Sequence, residues 1–459
     1  MKNPILIPEL RELLKKKNFQ ILKSFIDDQH SKEVAEYLGL LEPQEIWEIL
    51  DIVDIQKRSE IFCYLDMDVQ VTMVSGQLKY KITELLKQIS NDDRADLFLH
   101  LEKNVADRLM LLLPLNDRTD ILKLTSYKEK TAGAIMTTDY ANLYENDSIE
   151  NAIEKIRSMA PSKETIYYIY VTNDEGKLIG FVSLRKMILS GPNQQIKDIM
   201  KKDVIYAYVN DEQEKAANLI EKYDLIALPV VDYNEKLAGI ITYDDAIDVI
   251  RDEETEDLEK LMAISGGVEE RSYLDIPVFT HFKKRISWVI ILGVIGLLSS
   301  VIMKGFQGTL EKIIILTFYI PLLNSAGGNT GSQSATVVLR AIALKELFPR
   351  DISKVIKKEF LISTLICICF GLLTYLGVML FSAGQDIPKE FTLTSIALLV
   401  SLALSIQVVW STLFGAIIPI IATKLRLDPA VISNPALTTI VDMGGITMYF
   451  TLANQVLGI

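Results

Sequence analysis

The sequence predicts a multidomain chain: an all-α helical N-domain, a duplicated α/β domain, a charged connecting helix and an α-helical transmembrane domain of five helices. Three observations predict it. Residues 271–459 carry 15 Lys and Arg against 9 Asp and Glu, whereas residues 1–270 carry 33 against 51, so an acidic half precedes an apolar, mildly basic one. A strand–turn–strand pattern occurs twice in mid-chain, and five long apolar stretches follow. At 459 residues the chain exceeds one ordinary core. The composition shifts place the bounds at 1–130, 131–251, 252–282 and 283–459.

Residues 1–130 read as helix after helix, with apolar residues three and four apart in EIWEILDIV and ADLFLHLEKNVADRLMLLL. Asp93-Arg94-Ala95-Asp96-Leu97 returns 24 residues later as Asp117-Arg118-Thr119-Asp120-Ile121, which predicts stacked helix pairs. The opening residues, MKNPILIPELRELLKKKNF, lack the apolar core of a signal peptide, so the acidic half is expected in the cytosol. Its acidity argues against nucleic acid and for cations as ligands; simple solubility is the other reading. Three cysteines are too few for a disulfide framework, and His30, His100 and His281 give no zinc spacing. A bound metal would be held by oxygen, which means a hard cation.

Residues 131–251 change character. YYIYVTNDEGKLIGFVSL and ALPVVDYNEKLAGIIT are each a strand, a polar turn and a strand. Gly180 and Gly239 lie 59 residues apart, and Met136 and Met200, which begin the two copies, 64 apart. Order and spacing resemble a tandem pair of cystathionine-β-synthase (CBS) domains, a ligand-sensing module.

The connecting segment 252–282 begins as a charged helix and breaks at Gly266-Gly267. In DDAIDVIRDEETEDLE, residues 244–259, nine of sixteen residues are acidic. A solvated helix normally interleaves both signs. Cation binding and plain solvation both fit that pattern.

The apolar stretches are roughly 286–303, 313–340, 360–383, 391–422 and 431–456, each long enough to span ~30 Å of hydrocarbon. The second and fourth exceed the need and are expected to tilt, kink or protrude. Basic clusters alternate along the loops: Lys283-Lys284-Arg285, then Lys345 to Lys358, then Lys424 and Arg426. The positive-inside rule therefore puts the N-terminus in the cytosol and the C-terminus outside. The reading is a multi-pass protein of the cell membrane in contact with lipid.

Asp442 lies near the middle of the fifth stretch. A lone carboxylate in hydrocarbon costs at least ~2.5 kcal/mol, so it must face protein, water or an ion. Asn434, Thr438, Asp442 and Gly445 fall within about 80° of one helix face, a small, polar stripe suited to a water-lined wall. A structural acid bonded to a neighbouring helix is the alternative. In PLLNSAGGNTGSQSAT, residues 321–336, Gly327, Gly331 and Ala335 permit close helix approach. Asn324, Asn329, Thr330 and Gln333 put neutral polar groups at membrane depth, either to line a hydrated path or to bond helices together. No nucleophile, base or cofactor loop is found, so an enzyme has little to stand on.

Taken together, the domain order, GGNTGSQSAT and DPAVISNPALTTIVD resemble the MgtE family of Mg²⁺ channels over essentially the whole chain. That resemblance implies a homodimer with a pore between the membrane domains. It maps pore ion-binding roles onto Asp442 and Asn434, with Asn329 and Asp428 alongside. It maps cytosolic Mg²⁺ sensing onto Asp96, Glu212, Glu214, Asp224, Asp245, Asp248, Glu253, Glu256 and Asp257. Some members bind ATP through a ribose-binding Asp that ends an [ST]-x-x-D element; here the first unit reads Ser183-Leu184-Arg185-Lys186, which leaves ATP doubtful as a cofactor. The rival readings are a coupled Mg²⁺/Co²⁺ carrier and a CBS-regulated membrane enzyme.

Overall fold

The computed structural model describes residues 7–76, 79–267, 273–274, 276–385, 387–388 and 390–458; the side chains of residues 79–80, 162 and 430–436 lie outside that description. The chain divides into two compact units, Met1–Glu253 and Glu254–Ile459.

In the first unit, short helices from Ile7–Lys15 to Leu115–Leu124 pack in stacked pairs around one continuous core, which includes the fully buried Leu22, Ile46, Leu50, Ile61 and Phe62. Each such side chain contributes about 1.5–3 kcal/mol on burial. Polar residues set the helix ends. Asp54 Oδ1 accepts from the amides of Gln56 and Lys57, both at 3.0 Å. Arg58 Nε donates to Leu50 O and Arg118 Nε to Leu113 O, both at 2.8 Å, satisfying carbonyls at helix ends. The 24-residue repeat is visible in space: Asn91–His100 packs on Leu115–Leu124, Leu97 and Ile121 are both fully buried, and Arg94 pairs with Asp117 at 3.0 Å.

The duplication is equally plain. Strands β1 (Tyr140–Tyr144), β2 (Thr165–Thr172) and β3 (Leu178–Ser183) form one sheet; β4 (Ala207–Tyr208), β5 (Ala227–Val231) and β6 (Leu237–Thr242) form the other. In each, the first strand runs parallel to the second and the second antiparallel to the third. The copies exchange their leading segments. Thr137 and Ile240 trade backbone hydrogen bonds at 2.8 and 2.9 Å, and Phe181 and Lys201 trade two at 2.9 Å. Met136, from the start of the first copy, therefore lies on Gly239 of the second, and Met200 on Gly180 of the first. A Cβ at Gly239 would stand 2.6 Å from Thr137 O, so the glycine is required by the exchange.

The connecting helix starts earlier than the composition shift suggested. It runs Tyr243–Leu261 directly from β6, with no break at residue 252, and Asp244 and Asp245 occupy its first turn, where the helix dipole favours anions. It ends before Gly266, whose φ of +112° suits glycine alone.

Among the described residues of the second unit five helices have spanning length: Val278–Gly305, Ile320–Ala343, Ile352–Phe381, Leu393–Lys424 and Pro429–Leu457. Among the described residues, three stretches are long and apolar enough to cross a membrane: Val278–Gly305, Pro349–Phe381 and Leu393–Lys424. The Ile320–Ala343 helix carries the polar GGNTGSQSAT run. The excess length of the second apolar stretch is taken up by a 3₁₀ turn, Ile314–Tyr319, before Pro321 opens that helix. The fourth helix contains Pro419 near its end.

Candidate functional site

The fourth helix, Leu393–Lys424, is the centre of the membrane unit and packs on the second, third and fifth. Small residues set the spacing. A Cβ at Gly415 would lie 2.2 Å from Gly331 O, and one at Gly327 2.4 Å from Gln407 Nε2. Thr330 Oγ1 and Ser411 Oγ are 2.7 Å apart, so Thr330 bonds helices together. Asn324 has a buried Oδ1 without a hydrogen bond. Asn329 is exposed, its amide 3.4 Å from Ser325 Oγ on its own helix.

Asp442 stands on the fifth helix in a cleft of about 240 Å³. The cleft is lined by Leu261 at the end of the connecting helix, by Met262 and Ala263 just after it, by Gly296 and Ser299 of the first long helix, and by Thr438. Asp442 Oδ1 is buried and has no hydrogen-bond partner. Among the described residues no donor meets that oxygen. The expected stripe divides: Thr438 shares the cleft, whereas Gly445 is buried against Gln407, where a Cβ would lie 2.5 Å from Nε2. The Asn434 side chain lies outside the described residues. Asp428, at the start of this helix, pairs at 3.1 Å with Lys260, which also pairs at 2.9 Å with Glu256.

Two polar groups here escaped the sequence reading. Gln407 is fully buried and donates from Nε2 to Val441 O at 2.9 Å. Glu359, 8% exposed, accepts from Ser334 Oγ at 2.9 Å. Both sit in or beside apolar runs among other polar residues, so neither stands out in the sequence.

The acids of the first unit fall into groups. Asp92 and Asp93 begin the helix Asn91–His100, and Asp139, Glu164, Asp244 and Asp245 come from three other places in the chain. These six carboxylates act on one another. Glu164, although exposed as a residue, is desolvated by its neighbours and repelled by Asp92, Asp244, Asp93 and Asp139, which pushes its pKa up to about 7. Desolvation and then Asp92 push Asp245 up to about 8, against the Thr242 hydroxyl that donates to it at 2.6 Å. Asp92 Oδ1 is buried and without a hydrogen bond. Only Asp245 of this group was named from the sequence. Asp92, Asp93 and Asp244 could be found only as acids next to acids, in Asp92-Asp93 and Asp244-Asp245, and Asp139 and Glu164 carry no local signal.

Elsewhere, Glu253 accepts from Gln213 Nε2 at 2.8 Å, between Glu212 and Glu214, which are both exposed. Asp96 is exposed one turn after Asp92. Asp224 ends its helix in the left-handed conformation, φ +51°, and Asp248 pairs loosely with Arg251 at 3.4 Å. Asp257 is exposed. Among the described residues no three acids or other ligating groups already surround a single point. In the first CBS unit a cleft of about 380 Å³ is lined by Tyr168, Phe181, Ser183, Arg185, Lys186 and Lys201, with no carboxylate among its lining residues.

Comparison with known proteins agrees with the architecture. Residues 320–452 match the divalent cation transporter model of the MgtE family, residues 29–130 the MgtE intracellular N domain, and residues 132–190 and 196–252 CBS domains. The chain is 32% identical to the magnesium transporter MgtE of Thermus thermophilus, covering 98% of both chains. It is 30% identical to that of Bacillus subtilis, covering 96% of this chain and 95% of that one. The cytosolic domain of an Mg²⁺ channel MgtE in complex with ATP superposes with a TM-score of 0.50 at 31% identity, over 52% of this chain and 98% of that one. The soluble part of a magnesium transporter does so with the same score at 30% identity, over 54% and 97%. An acidic helical domain, a CBS pair and a helical membrane region in this order, matched over nearly the full length, place this chain in the MgtE family of magnesium transporters.

Proposed function

We propose that the chain is a Mg²⁺-selective channel, working as a homodimer in the cell membrane, that cytosolic Mg²⁺ closes. The observation that carries the reading is Asp442, a membrane carboxylate with a buried oxygen free of hydrogen bonds in a 240 Å³ cleft. Mg²⁺ prefers octahedral oxygen and sheds water reluctantly. Two Asp442 carboxylates, one from each subunit, would hold the hydrated ion through its waters, and the width of that octahedron would set selectivity. The five long helices are the spans, with the N-terminus cytosolic and the C-terminus external, and lipid surrounds them. The structural neighbour described as an Mg²⁺ channel favours a channel over a coupled carrier, and no enzymatic role is proposed.

Gating follows from charge. At low Mg²⁺ the acids around Asp92, Glu164 and Asp245 repel, and the connecting helix that carries Asp245 is under strain. Mg²⁺ would bridge these carboxylates and draw the helix into the closed position. Asp96, Glu212, Glu214, Asp224, Asp248, Glu253, Glu256 and Asp257 complete the proposed sensing surface. Closing and Mg²⁺ binding must favour each other by the same factor. For ATP, the neighbour's bound nucleotide and the residues here pull in opposite directions. Lys186 offers donors only, and its cleft has no carboxylate to accept from a ribose diol, so we propose weak ATP binding at the first unit.

Asp442→Ala tests the central claim. Mg²⁺ uptake into proteoliposomes is expected to vanish while the dimer still assembles; normal flux through an assembled variant would refute it.

A further inference from the structure

Gln407 lies at the contact of three helices. It is fully buried on the fourth, and its Nε2 donates at 2.9 Å to the carbonyl of Val441, the residue before Asp442. Its neighbours are shaped around it. A Cβ at Gly445 would meet Nε2, Cδ and Oε1 at 2.5, 2.7 and 2.8 Å, and one at Gly327 would meet Nε2 at 2.4 Å. Glycines on the second and fifth helices thus make room for one carboxamide. Ser411 Oγ, one turn on, donates to Gln407 O at 2.8 Å and lies 2.7 Å from Thr330 Oγ1, which ties this level of the fourth helix to the second. In a regular helix Val441 O already accepts from the amide four residues on, so the Gln407 bond is an added tether rather than a requirement of the backbone. Its other end is unused: Oε1 is buried with no hydrogen bond.

Burying an amide with an unpaired oxygen is unfavourable for folding, and an apolar side chain of the same shape would fill the space without that cost. The arrangement therefore works against stability while fixing the height and rotation of the fifth helix at one residue from Asp442. We propose that Gln407 is a positioning residue for the ion site: it pins the Val441 carbonyl so that Asp442 presents its carboxylate at a set depth in the cleft. A hydrated Mg²⁺ is recognised by its size, so an acid that drifts by a fraction of an ångström still attracts divalent cations but discriminates less well between Mg²⁺ and the larger Ca²⁺. The proposal rests on Asp442 being the ion site.

Gln407→Leu in the full chain, reconstituted in bilayers, is the test, because leucine fills the pocket without donating. The expected result is unchanged or higher thermal stability and dimer assembly, a roughly tenfold rise in the Mg²⁺ concentration for half-maximal current, and a comparable loss of Mg²⁺ over Ca²⁺ selectivity. Gln407→Asn keeps the amide but withdraws it by one methylene, and Gly445→Ala pushes the carboxamide from the other side; both are expected to move selectivity in the same direction. A purely structural role would lower stability and leave the half-saturation and the Mg²⁺ to Ca²⁺ ratio alone. Wild-type values of both in the assembled variants would overturn the proposal. If Asp442→Ala also conducts normally, the ion-site reading has failed; if Asp442→Ala is silent and Gln407→Leu is wild type, only the tether has.

Discussion

Asp442 and the carboxylates around Asp92 solve opposite electrostatic problems. Asp442 stands on the helix Pro429–Leu457 with one oxygen buried and free of hydrogen bonds, in a cleft with no other acid among its lining residues. The group in the first unit gathers Asp92, Asp93, Asp139, Glu164, Asp244 and Asp245 at a place that solvent still reaches. A lone carboxylate in a low-dielectric site attracts a cation strongly but offers few ligands, so an ion that keeps its water can pass on. A crowd of carboxylates in contact with water binds each ion weakly yet is strained by its own repulsion. Relief of that strain can be transmitted to the helix on which Asp245 sits. On the proposed reading, the difference suits one region to passage and the other to sensing.

The comparison breaks most visibly when each region is neutralised in turn. Asp442→Ala is expected to remove current at every internal Mg²⁺ concentration, a loss of 100-fold or more. Asp92→Asn, Asp93→Asn and Asp245→Asn together are expected to move the Mg²⁺ needed for half-inhibition upward by about tenfold. Patch recordings across internal Mg²⁺ measure both. A mere shift in the first variant, or silence in the second, would reverse the assignment.

pH sharpens it. Glu164 is raised from 4.5 to about 7 and Asp245 from 3.8 to about 8, so the folded cytosolic unit holds these protons more tightly than the unfolded chain. Their contribution is most favourable below the unfolded values near pH 4 and is lost as pH rises through 7 to 8. On the proposed reading, Mg²⁺ would compete with those protons and replace them as the compensating charge. Without Mg²⁺ the protein is expected to melt several degrees lower at pH 8.5 than at pH 6. The rise in Tm on adding Mg²⁺ is expected to be larger at pH 8.5. Equal rises at both pH values would show that these acids do not meet Mg²⁺.

What could be read in the sequence was whatever depends on local pattern. β2, β3, β5 and β6 announce themselves by alternation around polar turns, and Asp442 stands out as an acid inside an apolar run. The exchange of Met136 onto Gly239 and of Met200 onto Gly180 could not be read, because the two copies have the same pattern and only packing decides which sheet each segment joins. Asp92, Asp139 and Glu164 are distant in sequence, and nothing local brings them to Asp245. Gln407 is one of several polar residues in LALSIQVVWSTLF, with Ser405, Ser411 and Thr412, and its meaning comes from two glycines on other helices. Gly445 failed as a member of the polar stripe for the same reason: helical angle gave its face, but not what that face meets.

The smallest expected effect concerns the end of the connecting helix, where the resemblance assigned Glu256 to sensing and Asp428 to the pore. Lys260 stands between them, with Nζ 2.9 Å from Glu256 and 3.1 Å from Asp428. Burial works against its charge, but the hydrogen bonds to Glu256 and Asp428 outweigh it and hold the ammonium above its ordinary pKa. The side chains remain 15–39% exposed, so this bridge belongs with partly screened pairs worth about 1 kcal/mol or less, equivalent to about five-fold in an equilibrium. The lysine does for these two carboxylates what Mg²⁺ is proposed to do for the group around Asp92, without depending on ion concentration. Lys260→Met leaves two acids facing each other and is expected to raise the Mg²⁺ for half-inhibition by up to about five-fold. Lys260→Arg keeps the cation and is expected to stay near wild type. If both variants shift equally, the bridge acts through shape rather than charge, and the contrast between a fixed and an exchangeable cation along one helix is lost. If only methionine shifts, one end of the helix is held by the chain's own cation and the other waits for Mg²⁺, as gating by a tethered lever requires.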